Sequence, residues 1–127
     1  MTRFGEVAIL GAGTMGHALA LVHALAGCQV RLQDIDVATL ERAPQLIGSA
    51  LATLQDSGSI GKAEGAEALA RISCVAELGE AVAGADLVVE AVVENVAVKR
   101  QLFAAIDEAA PVHAVIASNT SYLDVFP

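Results

Sequence analysis

The chain has 127 residues, a length that accommodates one domain with one core and not two. Hydrophobic residues make up 55% of it and charged residues 17%, which excludes a disordered chain, and its net charge of −8 works against binding nucleic acid or an anionic membrane surface. Aromatic residues are only 3%, so the core must be built from alanine, valine and leucine, which suits buried strands covered by helices at close approach.

The N-terminal residues lead straight into Val7-Ala8-Ile9-Leu10, an apolar run too short for a signal peptide or a membrane span. The expectation is a cytoplasmic protein with no membrane partner. This run, stopped by Gly11, reads as a parallel strand buried on both faces. Thr14 to Ala26 has no helix breaker and is followed by Gly27, where a helix-terminating glycine belongs. A second strand then runs from Gln29 to Asp34, which completes a βαβ unit of about 30 residues.

Helical spacing of Leu40, Ile47, Leu51 and Leu54 predicts a helix over about 37–55, with Pro44 calling for a late start or a kink. Asp56 to Gly61 is a loop by composition, followed by a short helix near Ala63 to Ala70 and a weak strand at Ile72 to Val75. A helix over Leu78 to Ala83 ends at Gly84, and a strand is expected from Asp86 to Val92. Val96 to Ala109 reads as a helix and Ala114 to Ala117 as the last strand. The unbroken alternation of strand and helix predicts an α/β fold, a doubly wound parallel sheet of the Rossmann kind. Cys28 and Cys74 lack metal-binding spacing and are expected as two buried thiols in a reducing compartment; no metal site is expected.

Gly11-Ala12-Gly13-Thr14-Met15-Gly16 fits G-x-G-x-x-G. Alone the string is weak, but here it follows a strand, opens a helix and precedes an acidic residue, Asp34, at about the 20-residue spacing of a dinucleotide site. Gly11 would allow the tight turn, Gly13 the approach of the pyrophosphate and Gly16 the packing of helix on strand. The leading amides of the helix supply local positive potential to a diphosphate in an acidic protein. Asp34 would bind the adenosine ribose hydroxyls and repel a 2′-phosphate, which selects NAD over NADP. The blander readings are a Gly-rich turn without ligand, or one for flavin or S-adenosylmethionine, and for Asp36 an ordinary helix N-cap.

Two further stretches narrow the reading. Val88-Val89-Glu90-Ala91-Val92-Val93-Glu94-Asn95 with Lys99-Arg100 and Leu102-Phe103, and Ala117-Ser118-Asn119-Thr120-Ser121, together with the Gly-rich turn resemble the NAD-binding N-terminal domain of the L-3-hydroxyacyl-CoA dehydrogenase family. The resemblance runs from Val7 to about Ser121. It implies a cofactor contact surface of Gly11, Ala12, Gly13, Thr14, Met15, Gly16, Asp34, Ala91, Val92, Glu94, Lys99 and Asn119. It further implies that Asn119 and Ser121 position the substrate, with Ser121 bonded to its 3-hydroxyl. Outside the resemblance, Glu94 reads as a first-turn acid and Lys99 as a solvated helix residue.

The family's catalytic base is a histidine in a His-Phe-x-Asn-Pro-like segment, and His17, His23 and His113 stand in other contexts. All three read as structural or solvated, His17 being the one near the cofactor turn. The resemblance also implies a helical C-terminal domain that forms a homodimer, so residues 1–127 are expected to be an NAD-binding domain truncated before it and inactive alone. The substrate implied is a 3-hydroxyacyl-CoA. Leu54 to Ile60 instead looks like the L-gulonate dehydrogenase and lambda-crystallin branch, whose substrate is a free 3-hydroxy acid. A non-catalytic NAD-binding module is the remaining alternative.

Overall fold

The computed structural model describes residues 5–91 and 96–118. Its elements in chain order are β1 (Glu6–Leu10), α1 (Thr14–Leu25), β2 (Gln29–Gln33), α2 (Val37–Asp56), α3 (Lys62–Ala70), β3 (Ile72–Val75), α4 (Leu78–Val82), β4 (Leu87–Glu90), α5 (Val96–Ala109) and β5 (Val115–Ser118). The strands form one parallel sheet in the order β3-β2-β1-β4-β5. The chain winds outward from β1 to β3, then crosses back to β4 and winds the other way. A doubly wound sheet of this order opens a crevice at the carboxyl ends of β1 and β4, where the direction reverses.

Successive strand side chains point to opposite faces, and this alternation splits the core in two. Val7 and Ile9 of β1, Val30 and Leu32 of β2 and Val89 of β4 meet Ala20, Leu21 and Ala24 of α1, Ala43, Ile47 and Leu51 of α2 and Ala68 of α3. Ala8, Leu10 and Val88 face the other way, against Ala81 and Val82 of α4 and Ile106 of α5. Residues 7–10 of β1 are buried throughout, as expected of a central strand covered on both sides, where each large apolar side chain contributes about 1.5–3 kcal/mol.

Gly27 follows the end of α1 with φ at 101°, a left-handed conformation that turns the chain into β2. α2 neither starts late nor ends at Pro44. It begins at Val37 and continues through the proline, which lies on its exposed side, so water can reach the Leu40 carbonyl that receives no N–H from Pro44. The buried stripe of Ala43, Ile47 and Leu51 keeps the helix in register, with Leu40 and Leu54 partly buried against the same cluster. β4 is shorter than its apolar run, and Val92 lies outside the described residues. The two buried thiols are corrected to one: Cys28 is buried, whereas Cys74 is exposed because β3 is an edge strand. No helix among the described residues is long and apolar enough to cross a membrane.

At the amino end of the sheet, away from the crevice, Asp86 ties three segments together. Its Oδ2 accepts from the Gly5 and Glu6 amides at 3.0 and 2.9 Å, and its Oδ1 pairs with Nε2 of His113 at 2.8 Å. The Glu6 amide first, and then His113, hold the carboxyl of Asp86 below the ordinary carboxylate range. Because the folded pKa is depressed, this stabilisation is complete above the unfolded value of about 3.9 and disappears as pH falls through the folded one. Thermal unfolding followed from pH 7 to pH 2.5 is expected to show Asp86→Ala less stable than the parent at neutral pH, with the difference shrinking below about pH 4. A constant difference across that range would remove Asp86 from the acid-sensitive set.

Candidate functional site

Three of the glycines in the turn after β1 differ in what requires them. Gly11 has φ at 102°, which L side chains rarely adopt, so the turn itself requires it. At Gly16 an added Cβ would overlap the Gly11 carbonyl oxygen, so packing of α1 onto the turn requires it. Gly13 has an ordinary φ of −74° and nothing within 4 Å of where its Cβ would stand. Nothing within the described protein requires that glycine. The open space beside its backbone is what a pyrophosphate needs for close approach, and the residues present fit the dinucleotide on this ground.

Gly13 is the N-cap of α1 and offers no side chain to its leading amides, and the first turn contains no acidic residue. Those amides are therefore uncapped by the helix's own side chains, with the positive end of the helix dipole behind them. His17 turns inward, its Nδ1 2.9 Å from the Gly13 carbonyl oxygen, and His23 sits equally 2.8 Å from the Leu19 carbonyl. With His113 held by Asp86, each of the three histidines has a structural partner.

Asp34 follows directly on β2. Its Oδ2 accepts from the Ala12 amide at 2.9 Å and its Oδ1 from the Asp36 amide at 2.8 Å. One carboxylate thus braces the glycine turn against the start of α2, and each oxygen keeps a further lone-pair direction for a ribose hydroxyl. The neighbouring Gly11 amide donates to the Gln33 carbonyl at 2.7 Å, and the Gln33 side chain donates to the Ala76 carbonyl at 3.0 Å, which ties the turn after β3 to the same corner. Asp36 caps α2 by accepting from the amides of Ala38 at 3.0 Å and Thr39 at 3.4 Å, as its blander reading anticipates. Thr39, followed by the Ala38 amide and the charge of Arg42, holds the Asp36 carboxyl below its ordinary value.

These groups border one cleft of about 630 Å³, lined by Gly11, Gly13, Gln33, Asp34, Ile35, Asp36, Thr39, Leu78, Ala91, Gln101 and Leu102. Four of the sequence-derived residues, Gly11, Gly13, Asp34 and Ala91, come together there. Ala12 is buried with its amide already donated to Asp34, and Met15 is half exposed on α1. Thr14 and Lys99 belong to α1 and α5, but their side chains fall outside the described part, as do Val92, Glu94, Asn119 and Ser121 entirely. Gln33, Ile35, Thr39, Leu78, Gln101 and Leu102 escaped sequence reasoning. Two carried a signal, Gln33 as an amide side chain at the end of a buried strand and Leu102 within the Leu102-Phe103 part of the family resemblance; α4 and α5 reach the cleft through tertiary packing. Among the described residues no cluster of three or more His, Cys, Asp or Glu side chains could hold a metal ion.

Residues 6–126 match the family described as 3-hydroxyacyl-CoA dehydrogenase, NAD binding domain. The chain is 37% identical over 125 residues to 3-hydroxyadipyl-CoA dehydrogenase of Escherichia coli, covering 98% of this chain and 26% of that protein. It is 36% identical over 120 residues to lambda-crystallin of Oryctolagus cuniculus, covering 94% and 38% respectively. In three dimensions it superposes on 3-hydroxybutyryl-CoA dehydrogenase of Escherichia coli with a TM-score of 0.89 at 35% identity, over 96% of this chain and 26% of that one. The chain spans about two fifths or less of the length of the curated relatives it matches.

Gly13 and Gly16 make distinct mutational predictions. Gly16→Ala is expected to lower the melting temperature measurably and to lose NADH binding with it, because helix and turn must part. Gly13→Val is expected to unfold within a few degrees of the parent while its NADH affinity falls at least about tenfold, as its side chain takes the space of the pyrophosphate. Calorimetric titration and differential scanning calorimetry on both variants check this; a Gly13→Val chain that binds NADH like the parent removes the pyrophosphate from that space.

Proposed function

Since the chain belongs to the 3-hydroxyacyl-CoA dehydrogenase family, as its NAD-binding domain, we propose that it serves an enzyme transferring a hydride between an L-3-hydroxyacyl-CoA and NAD. The observation that carries this reading is the convergence of Gly11, the open backbone at Gly13, Asp34 and Ala91 on one cleft. The nicotinamide supplies the hydride acceptor when bound. The chain's own part is to hold the diphosphate on the leading amides of α1, to hold the adenosine ribose on Asp34, and to aim the other half of the cofactor past Ala91 toward β5.

The resemblance assigns the nicotinamide-ribose side to Val92, Glu94 and Lys99, the cofactor and substrate junction to Asn119, and the substrate's 3-hydroxyl to Ser121. These roles are part of the proposal. Proton removal from that hydroxyl belongs to a histidine that has no counterpart in this chain, since His17, His23 and His113 are engaged elsewhere. The reading extends to a homodimeric enzyme in the cytoplasm. A second reading, oxidation of a free 3-hydroxy acid, is favoured by the Leu54 to Ile60 stretch and by the similarity to lambda-crystallin.

The experiment is a titration with NADH followed by an assay for turnover. The 127-residue chain is expected to bind NADH, and Asp34→Ala is expected to bind it about tenfold or more weakly, through loss of a charged hydrogen-bond acceptor. Neither protein is expected to reduce NAD with 3-hydroxybutyryl-CoA or with L-gulonate. Equal affinity in parent and variant would end the ribose role of Asp34, and NADH production by the chain alone would refute the missing-base argument.

A further inference from the structure

A strand covered on both faces is expected to be apolar, yet β2 ends on Gln33, which is only 8% exposed. Among the described residues only Gln33 and Glu90 are both polar and buried. The Gln33 Nε2 donates to the Ala76 carbonyl oxygen at 3.0 Å. A carbonyl can only accept, so this bond settles which end of the amide is nitrogen and leaves the oxygen as the free end. That oxygen, Oε1, has no hydrogen-bond partner among the described residues, and no side-chain oxygen or nitrogen shut off from solvent there lacks one. Oε1 therefore reaches solvent, and the open space that Gln33 borders is the cleft. Leu32 packs toward α1 and α2, so Gln33, next along the strand, faces the α4 side of the sheet. Leu78 of α4 and Leu102 of α5 border the cleft as apolar walls, each partly buried against the core on that side.

We propose that Gln33 reads the purine base of the dinucleotide, its Oε1 accepting a hydrogen bond from the 6-amino group of adenine while Leu78 and Leu102 border the faces of the ring. The inference rests on the dinucleotide reading above and adds the base to it. A purine has apolar faces and a polar edge, so apolar walls with one oriented amide between them suit it. Position 6 decides the match: adenine carries an amino donor there, whereas hypoxanthine and guanine carry a carbonyl acceptor, which would meet a second acceptor in Oε1. Gln33 cannot turn its nitrogen toward such a base without abandoning the Ala76 carbonyl in a nearly closed site. A polar group fixed in this way rejects the wrong base more sharply than a freely rotating one, because it is left unpaired when the donor is missing.

The test compares calorimetric affinities of the full chain for NADH and for reduced nicotinamide hypoxanthine dinucleotide, in which a carbonyl oxygen replaces the 6-amino group. The parent is expected to prefer NADH about tenfold or more. Gln33→Met keeps the length and bulk of the side chain and removes its amide. In that variant the preference is expected to fall to within about twofold, the NADH affinity dropping while that of the hypoxanthine analogue holds or rises. Where scanning calorimetry shows Gln33→Met unfolded, Gln33→Asn replaces it, because its shorter amide cannot hold Ala76 and reach the base together; the same collapse is expected. A role of Gln33 confined to bracing the turn after β3 would weaken both ligands alike and leave the ratio unchanged, and that result overturns the proposal. A parent that binds the two dinucleotides equally also overturns it while leaving the dinucleotide reading intact. A parent that binds neither overturns that reading and this inference with it.

Discussion

The contact between Gly16 and the carbonyl of Gly11 is the constraint on which the rest of the site depends. A helix can point its leading amides at a ligand only if it lies close against the turn that precedes it, and here no side chain larger than hydrogen fits between them. That closeness sets the direction of α1, and with it the position of Gly13, whose bare backbone borders the cleft. The Asp34 carboxylate then fixes the other wall of the turn through the Ala12 amide. A single carboxylate therefore braces the turn, and on the proposed reading the same group bonds the ribose, which would link the rigidity of the turn to cofactor binding.

An acidic chain that binds a dinucleotide must solve an electrostatic problem. With a net charge of −8, the protein's overall field opposes a diphosphate, and the cleft has two carboxylates and no cation among its described lining. The solution is local. The amides at the start of α1 have no side-chain cap, and directed dipoles at a helix start can outweigh a diffuse field screened within about 10 Å. The acidic groups are displaced toward the adenosine end. Asp34 and Asp36 lie at the corner of the cleft between β2 and α2, the side proposed for the adenosine ribose.

The two ends of the sheet are built for different purposes. At the carboxyl edge, the turns after β1 and β2, with Ala91 after β4, border an open cleft. At the amino edge, Asp86 draws the entry to β1, the start of β4 and the segment before β5 into one hydrogen-bonded knot. Closing the edge that binds nothing keeps the central strands in register, and the open edge can then be shaped by ligand contacts. Glu90, the fully buried acid at the end of β4, lies in register with Leu10 and Ser118 where these two demands meet.

What the amino-acid sequence determined by itself is local. Hydrophobic runs bounded by glycine and acidic residues marked all five strands to within a residue or two, because a buried parallel strand must be apolar and must end where the chain turns. The G-x-G-x-x-G string with Asp34 marked the turn after β1, because Gly11 and Gly16 each answer a short-range steric need. The sequence could not determine what distant segments bring to one another. Pro44 called for a late start or a kink, and the helix starts at Val37 and runs through the proline, which lies on the exposed side while Ala43, Ile47 and Leu51 are locked in the core. Cys74 looked like a buried thiol, and only the strand order places β3 at an edge. Leu78 and Gln101 have no local mark of their own, and with Leu102 they line the cleft because α4 and α5 cover the opposite face of the sheet from α1. Local sterics and burial are encoded over a few residues, whereas the charge around a ligand is a sum over segments that only the folded sheet brings together.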